Sequence, residues 1–136
     1  MKEDYIKEFY NNDKFSKFVG IELLEVSEGW ARARMKVEEH HLNSVKTVHG
    51  AALFALADLV FAVASNSHEN ISVAINAHIS YLQGVRGGIL FAEAREVSLN
   101  PKLATYDIDI LDEENNKIAV FQGMVYRKKE KMDFST

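Results

Sequence analysis

Gly50-Ala51-Ala52-Leu53-Phe54-Ala55-Leu56-Ala57-Asp58-Leu59-Val60-Phe61-Ala62-Val63-Ala64-Ser65 is the stretch on which the fold turns. Alanine and leucine are strong helix formers, and here apolar residues occupy every side of a helical period instead of one stripe. Such a helix either spans a bilayer or is enclosed by protein. It falls short of the roughly 20 residues a bilayer needs, and Asp58 near its middle would be costly in hydrocarbon. The sequence therefore predicts a helix enclosed by its own chain, with no membrane association.

The enclosure is supplied by strands. Ala31, Ala33, Met35 and Val37 alternate with Trp30, Arg32, Arg34 and Lys36, which is the period-two pattern of a half-buried strand. Ile21 to Val26, joined to it by Ser27-Glu28-Gly29, reads as its hairpin partner, and His40 to Val48 as a loop. Beyond the helix, Ile71, Val73, Ile75, Ala77, Ile79 and Tyr81 form one apolar face of a long strand. Gly84, Gly87 and Gly88 then turn the chain into a strand over Ile89 to Leu99. Asn100-Pro101-Lys102 and Asp112 to Asn116 separate a strand ending at Ile110 and a last one from Ile118 to Arg127. Links this short hold no crossover helix, so neighbouring strands run antiparallel. Residues 1–14 read as an amphipathic helix on Tyr5, Ile6, Phe9 and Tyr10, Phe15 to Val19 as a further turn, and 128–136 as a frayed tail.

Composition narrows the chemistry. The 136 residues are 47% hydrophobic and 26% charged, enough for a single domain with one core. No cysteine is present, so a disulfide framework, a thiol nucleophile and a thiolate metal site are all excluded. A formal charge of -4 argues against a duplex nucleic-acid surface. The first residues lack an apolar signal segment, which predicts a cytoplasmic location. His40, His41, His49, His68 and His78 match no metal-ligand spacing, so no metal and no cofactor is expected.

Asp58 is the residue to explain. A carboxylate inside an apolar helix is expensive unless it is hydrogen-bonded or its pKa rises, and such groups cluster at functional sites. Gly50, at the start of the same helix, offers a free backbone N–H at the positive end of the dipole, suited to a carbonyl becoming an oxyanion. Asp58 lies eight residues later, about 12 Å along the axis and about 80 degrees around it. One helix cannot bring both groups to one carbonyl.

The run Asn43-x5-His49-Gly50-x7-Asp58, with the order of strands and helix over residues 15 to 128, resembles the hotdog-fold acyl-CoA thioesterases, specifically the phenylacetate-pathway subgroup of the 4-hydroxybenzoyl-CoA thioesterase superfamily. The resemblance implies an α+β hotdog fold, an antiparallel sheet of five to six strands wrapped around the central helix. It implies hydrolysis of a small or aryl acyl-CoA, with coenzyme A as part of the substrate. Asp58 is then general base or nucleophile, the Gly50 amide holds the carbonyl, Asn43 meets substrate or water, and His49 orients the loop and the carbonyl. It implies a homodimer with shared sites, or a dimer of dimers, in which one helix start faces the partner's aspartate. Gln83 stands where relatives carry a small hydroxyl residue and is assigned to water, and Ala51 replaces a second glycine. Lys102 and Arg86 are the cations assigned to the nucleotide phosphates. A non-catalytic acyl-CoA binder on the same fold is the alternative, because fold does not fix function; a hydratase ranks below it.

Overall fold

The computed structural model describes residues 3–134. Two short helices, α1 (Glu3–Asn11) and α2 (Lys14–Val19), precede the hairpin of β1 (Ile21–Ser27) and β2 (Trp30–Lys36). The long helix α3 (Gly50–Asn66) follows, then β3 (Asn70–Tyr81), β4 (Ile89–Leu99), β5 (Leu103–Leu111) and β6 (Lys117–Lys131). The strands form one six-stranded antiparallel sheet in the order β1-β2-β4-β5-β6-β3, with α3 against its inner face. This is the α+β arrangement the sequence predicts.

Alternation places the core. Ala31, Ala33 and Met35 of β2 are buried and pair with Ala94, Ala92 and Leu90 of β4. Two alanine pairs side by side leave a shallow floor, and α3 lies across these two strands. The helix buries Leu53, Leu56, Leu59, Val60, Phe61 and Val63 onto the sheet, each of the larger side chains contributing about 1.5–3 kcal/mol. Packing is closest at Gly123, where a methyl group would come within 2.5 Å of Phe61 Cζ. Polar groups tie down the far end of the helix. Ser67 Oγ donates to Ala64 O and accepts from Gly29 N–H, while Glu96 Oε1 accepts from Tyr106 O–H at 2.7 Å and lies 2.7 Å from His68 Nε2. Burial, then this bond to a carboxylate, pushes the Tyr106 phenol far above its ordinary pKa.

Four expectations need correction. Asp58 is not buried: Ala51, Ala55, Asp58 and Ala62 recur at helical spacing on the side of α3 away from the sheet, and Asp58 is exposed. A helix of apolar composition all round hides this, because three of the four outward residues are alanines. The apolar face of β3 is also broken. A bulge falls between Ala74 and Asn76, so Ala74, Ala77 and Ile79 lie on the same side as their partners Val125, Gly123 and Phe121, with Ala74 and Ala77 exposed at the sheet's edge, while Val73 pairs with Tyr126 on the outside.

The glycine-rich segment 82–88 does not turn β3 back onto β4 either. β3 pairs with β6 at the sheet's edge, and the segment crosses three strand spacings, about 14 Å, within easy reach of seven residues. Lastly, residues 128–131 are strand and not tail: β6 runs to Lys131, whose register partner is Asn70, and Asn70 Nδ2 donates to Lys128 O at 3.1 Å. Their charged side chains stand in solvent at the sheet's end, which is why composition alone reads as fraying. The last two residues of the expected tail and the first two of the N-terminal helix lie outside the described residues.

Candidate active site

The start of α3 is assembled by backbone bonds from three segments. His49 N–H donates to His41 O, and Val48 N–H donates to Val85 O in the crossing segment, both at 2.7 Å. His49 is the N-cap: its Nδ1 accepts from Ala51 N–H at 3.0 Å, which leaves the proton on the exposed Nε2. Gly50 N–H, the next donor, has no acceptor among the described residues. It points from the positive end of a seventeen-residue helix.

Asn43 shapes the loop before it. Its Oδ1 accepts from Val45 N–H and Thr47 N–H, and its Nδ2 donates to Thr47 Oγ1 at 2.9 Å, holding Lys46 at a φ of 65°. Both oxygen lone pairs are thus taken, and one N–H remains free for a ligand. Tyr81, which the alternation of β3 places on an apolar strand face, also belongs to this site. Its ring lies against Gly50, and its hydroxyl donates to Gly50 O at 3.2 Å. Gln83 does not continue the β3 face, because the strand stops at Tyr81; it is exposed beside the helix start. Thr47, Gly50, Leu53, Tyr81 and Gln83 together line a cavity of ≈ 340 Å³.

Asp58 stands apart from this cluster, on the outward side of α3. Its carboxyl makes no hydrogen bond or ion pair with any described residue. Although its side chain is exposed, neighbouring protein atoms displace part of its hydration, so desolvation raises its pKa above the ordinary carboxylate value, and the charge of Asp13 adds to the effect. Asp13 caps α2 with bonds to Ser16 N–H at 2.9 Å and Ser16 Oγ–H at 2.7 Å, which fixes its carboxylate in place.

The two expected phosphate-binding cations lie at opposite ends of the sheet. Arg86 is exposed on the segment beside the helix start. Lys102 accepts through its carbonyl from Arg127 N–H, nine residues along β6 from the Ile118 carbonyl that meets Leu82 and Gln83, about 30 Å away. One residue missed by periodicity is His41, which is buried. Its Nδ1 accepts from Glu38 N–H at 2.9 Å, so its Nε2 carries the proton and donates to Val19 O at 2.6 Å, joining the site loop to the end of α2. Among the described residues no three His, Asp or Glu side chains are grouped to hold a metal ion, and no helix is long and apolar enough to cross a membrane.

Comparison with known proteins gives one consistent result. The sequence pattern of the thioesterase superfamily matches residues 45–119. A protein of Archaeoglobus fulgidus is 42% identical over 129 residues, covering 94% of this chain and 82% of that one. The acyl-coenzyme A thioesterase PaaI of Escherichia coli is 35% identical over 119 residues, covering 87% of this chain and 85% of its own. The solved structure of the E. coli PaaI protein from the phenylacetic acid degradation operon superposes with a TM-score of 0.92 at 31% identity, covering 96% of this chain and 95% of that one.

Proposed function

The chain belongs to the thioesterase superfamily, and on that footing we propose that it hydrolyses acyl-CoA thioesters to the free acid and coenzyme A, with Asp58 as the base. The observation that carries the reading is a carboxylate with no partner and a raised pKa, on the same helix as an unpaired N–H at its positive end. The Gly50 N–H, with the outward Nε2–H of His49, is suited to donate to the thioester carbonyl oxygen as it becomes an oxyanion. Asp58 takes a proton from water, the water oxygen bonds to the carbonyl carbon, and the tetrahedral intermediate expels the thiolate of coenzyme A. A thiolate leaves without strong acid assistance, so the scarcity of acids near Gly50 suits thioesters better than amides. A carboxylate whose pKa is raised is a stronger base than an ordinary one, which suits proton abstraction. Asn43 and Gln83 flank the place where water and substrate would meet.

The separation of about 12 Å between Gly50 and Asp58 on one helix calls for a second copy. β3 supplies the means: it is a twelve-residue edge strand with exposed Val73 and Ile75, open on one side. Two such edges pairing antiparallel about a two-fold axis would run the two α3 helices in opposite directions and set each Gly50 toward the partner's Asp58. The same operation brings the Lys102 end of one chain toward the Arg86 end of the other, so that both cations can meet one coenzyme A.

The test is a panel of short, medium and aryl acyl-CoAs offered to the native chain and to Asp58→Asn. The expected result is hydrolysis by the native chain and a loss in kcat of about 10²- to 10⁴-fold in the variant, with acyl-CoA binding retained. Equal rates would remove Asp58 from the chemistry. Tight binding without hydrolysis by the native chain would replace the enzyme with a binding protein. Single turnover in heavy-oxygen water that labels the Asp58 side chain would make it a nucleophile instead of a base.

A further inference from the structure

Helix α2 holds two phenylalanines where a folded chain gains nothing from them. Phe15 and Phe18 are 66% and 83% exposed. They are not on a loose segment, since Asp13 caps the start of α2, Gly20 closes its end in the left-handed conformation, and His41 binds Val19 O. The backbone that carries the rings is therefore held beside the outward side of α3. With Val19 they face His49, Ala51 and Ala55 across an open groove of ≈ 250 Å³.

The groove adjoins the candidate site at the start of α3 but shares no lining residue with its cavity. His49 forms part of its wall and also caps the helix whose first N–H is unpaired. From Ala51 to Ala55 the groove runs four residues down the helix, about 6 Å, and Asp58 lies three residues further on the same face. A cavity of about 150 Å³ with apolar walls already takes a benzene ring. This groove is larger and mostly apolar, with His40, His41 and His49 also in its wall and alanines on one side where longer side chains would fill it.

We infer that the α2–α3 groove binds the acyl group of the substrate, and that Phe15, Phe18 and Ala55 set its size at about six carbons. The inference rests on the reading of Gly50 as the carbonyl-binding donor: an acyl chain leaving a carbonyl held there enters the groove at His49 and Ala51 and passes between the two phenylalanines and Ala55. Phe54 and Phe61 do not line this groove and pack on Phe121 in the core.

The experiment measures kcat/KM for acetyl-, butyryl-, hexanoyl- and dodecanoyl-CoA with the native chain, Phe18→Ala, Phe18→Leu and Ala55→Phe. In the native chain kcat/KM rises by about twofold to fourfold per methylene up to about six carbons and then levels off. Phe18→Ala and Ala55→Phe each lower the hexanoyl-to-acetyl ratio by about tenfold or more, and Phe18→Leu restores most of it. Phe18 lies on the surface, so its variants carry the test if Ala55→Phe fails to fold. A ratio unchanged in Phe18→Ala overturns the inference while leaving the thioesterase reading intact. An Ala55→Phe protein that becomes monomeric by light scattering also overturns it, since a second copy and not the acyl group would then fill the groove. Absence of hydrolysis across the series in the native chain removes the thioesterase reading itself, and the inference with it.

Discussion

The ring of Tyr81 lies so close over Gly50 that a methyl group on the glycine would come within 2.9 Å of both Cζ and Oη. Gly50 is therefore required by a side chain from another strand and not by its own backbone angle. Because Tyr81 is half exposed, its ring has room to swing aside. Gly50→Ala is expected to fold, losing about 1 kcal/mol or less as the Tyr81 hydrogen bond is exchanged for a better helix former. The displaced ring would enter the cavity, so kcat/KM should fall about tenfold or more. Removing the ring with Tyr81→Ala on that background should recover activity, as steady-state kinetics beside thermal melts would show.

Asp13 and Asp58 give a prediction in pH. Partial desolvation and then the Asp13 charge raise the Asp58 pKa, and the base must be ionised, so kcat/KM rises with pH through that pKa. Asp13→Asn keeps a good helix cap but removes the charge, so the acid limb of the profile should move to lower pH. Stability moves in the opposite sense. With a folded pKa above the unfolded one, the folded state binds more protons between the two values, and stability is lost as pH rises through that window. Asp58→Asn should therefore raise Tm at pH 7 relative to the native chain and give no such gain at pH 3. An identical acid limb in Asp13→Asn would show that the two charges do not communicate.

Gly123 tests the core. An added methyl group would sit 2.5 to 2.8 Å from three atoms of the Phe61 ring, which is itself buried with no room to yield. Gly123→Ala should cost about 1–3 kcal/mol, read from denaturant midpoints. Phe61→Leu in the same chain should cost less than the sum of the two single changes, because each relieves the other.

Shared sites predict complementation. Asp58→Asn and Gly50→Val should each be inactive alone. When subunits are exchanged in equal amounts, half the dimers are mixed and each mixed dimer has one intact site, so about a quarter of the native activity returns. No recovery after verified exchange would place both groups in one chain and overturn the dimer arrangement.

The fold was legible wherever local patterning and burial agree. The limits of α3, the hairpin of β1 and β2, and β5 all follow from periods of 3.6 or two, and the resemblance read from Asn43, His49, Gly50 and Asp58 agrees with the thioesterase superfamily pattern found over residues 45–119. What escaped depends on partners far along the chain. Nothing near Ile75 signals the bulge that turns Val73 outward, because the bulge is set by the register with β6. Lys128 to Lys131 read as tail because their ladder partners begin at Asn70. The outward placement of Asp58 was hidden by alanines, which suit a solvent face and a core equally well. His41 and Tyr81 each act through a single contact to another element, with Val19 and Gly50, and no period in the sequence records such a contact.

The position of β3 has a consequence for how the protein is made. Its one ladder partner among the described residues, β6, ends fifty residues after β3 does. At about 5–20 residues per second, a growing chain carries the strand bearing Ile71, Val73, Ile75 and Ile79 for several seconds before anything can pair with it. An unpaired apolar strand is a template for association with other chains. The hazard peaks on the ribosome, and slower growth at low temperature or an early-acting chaperone should raise the soluble yield more than any change that stabilises the finished fold.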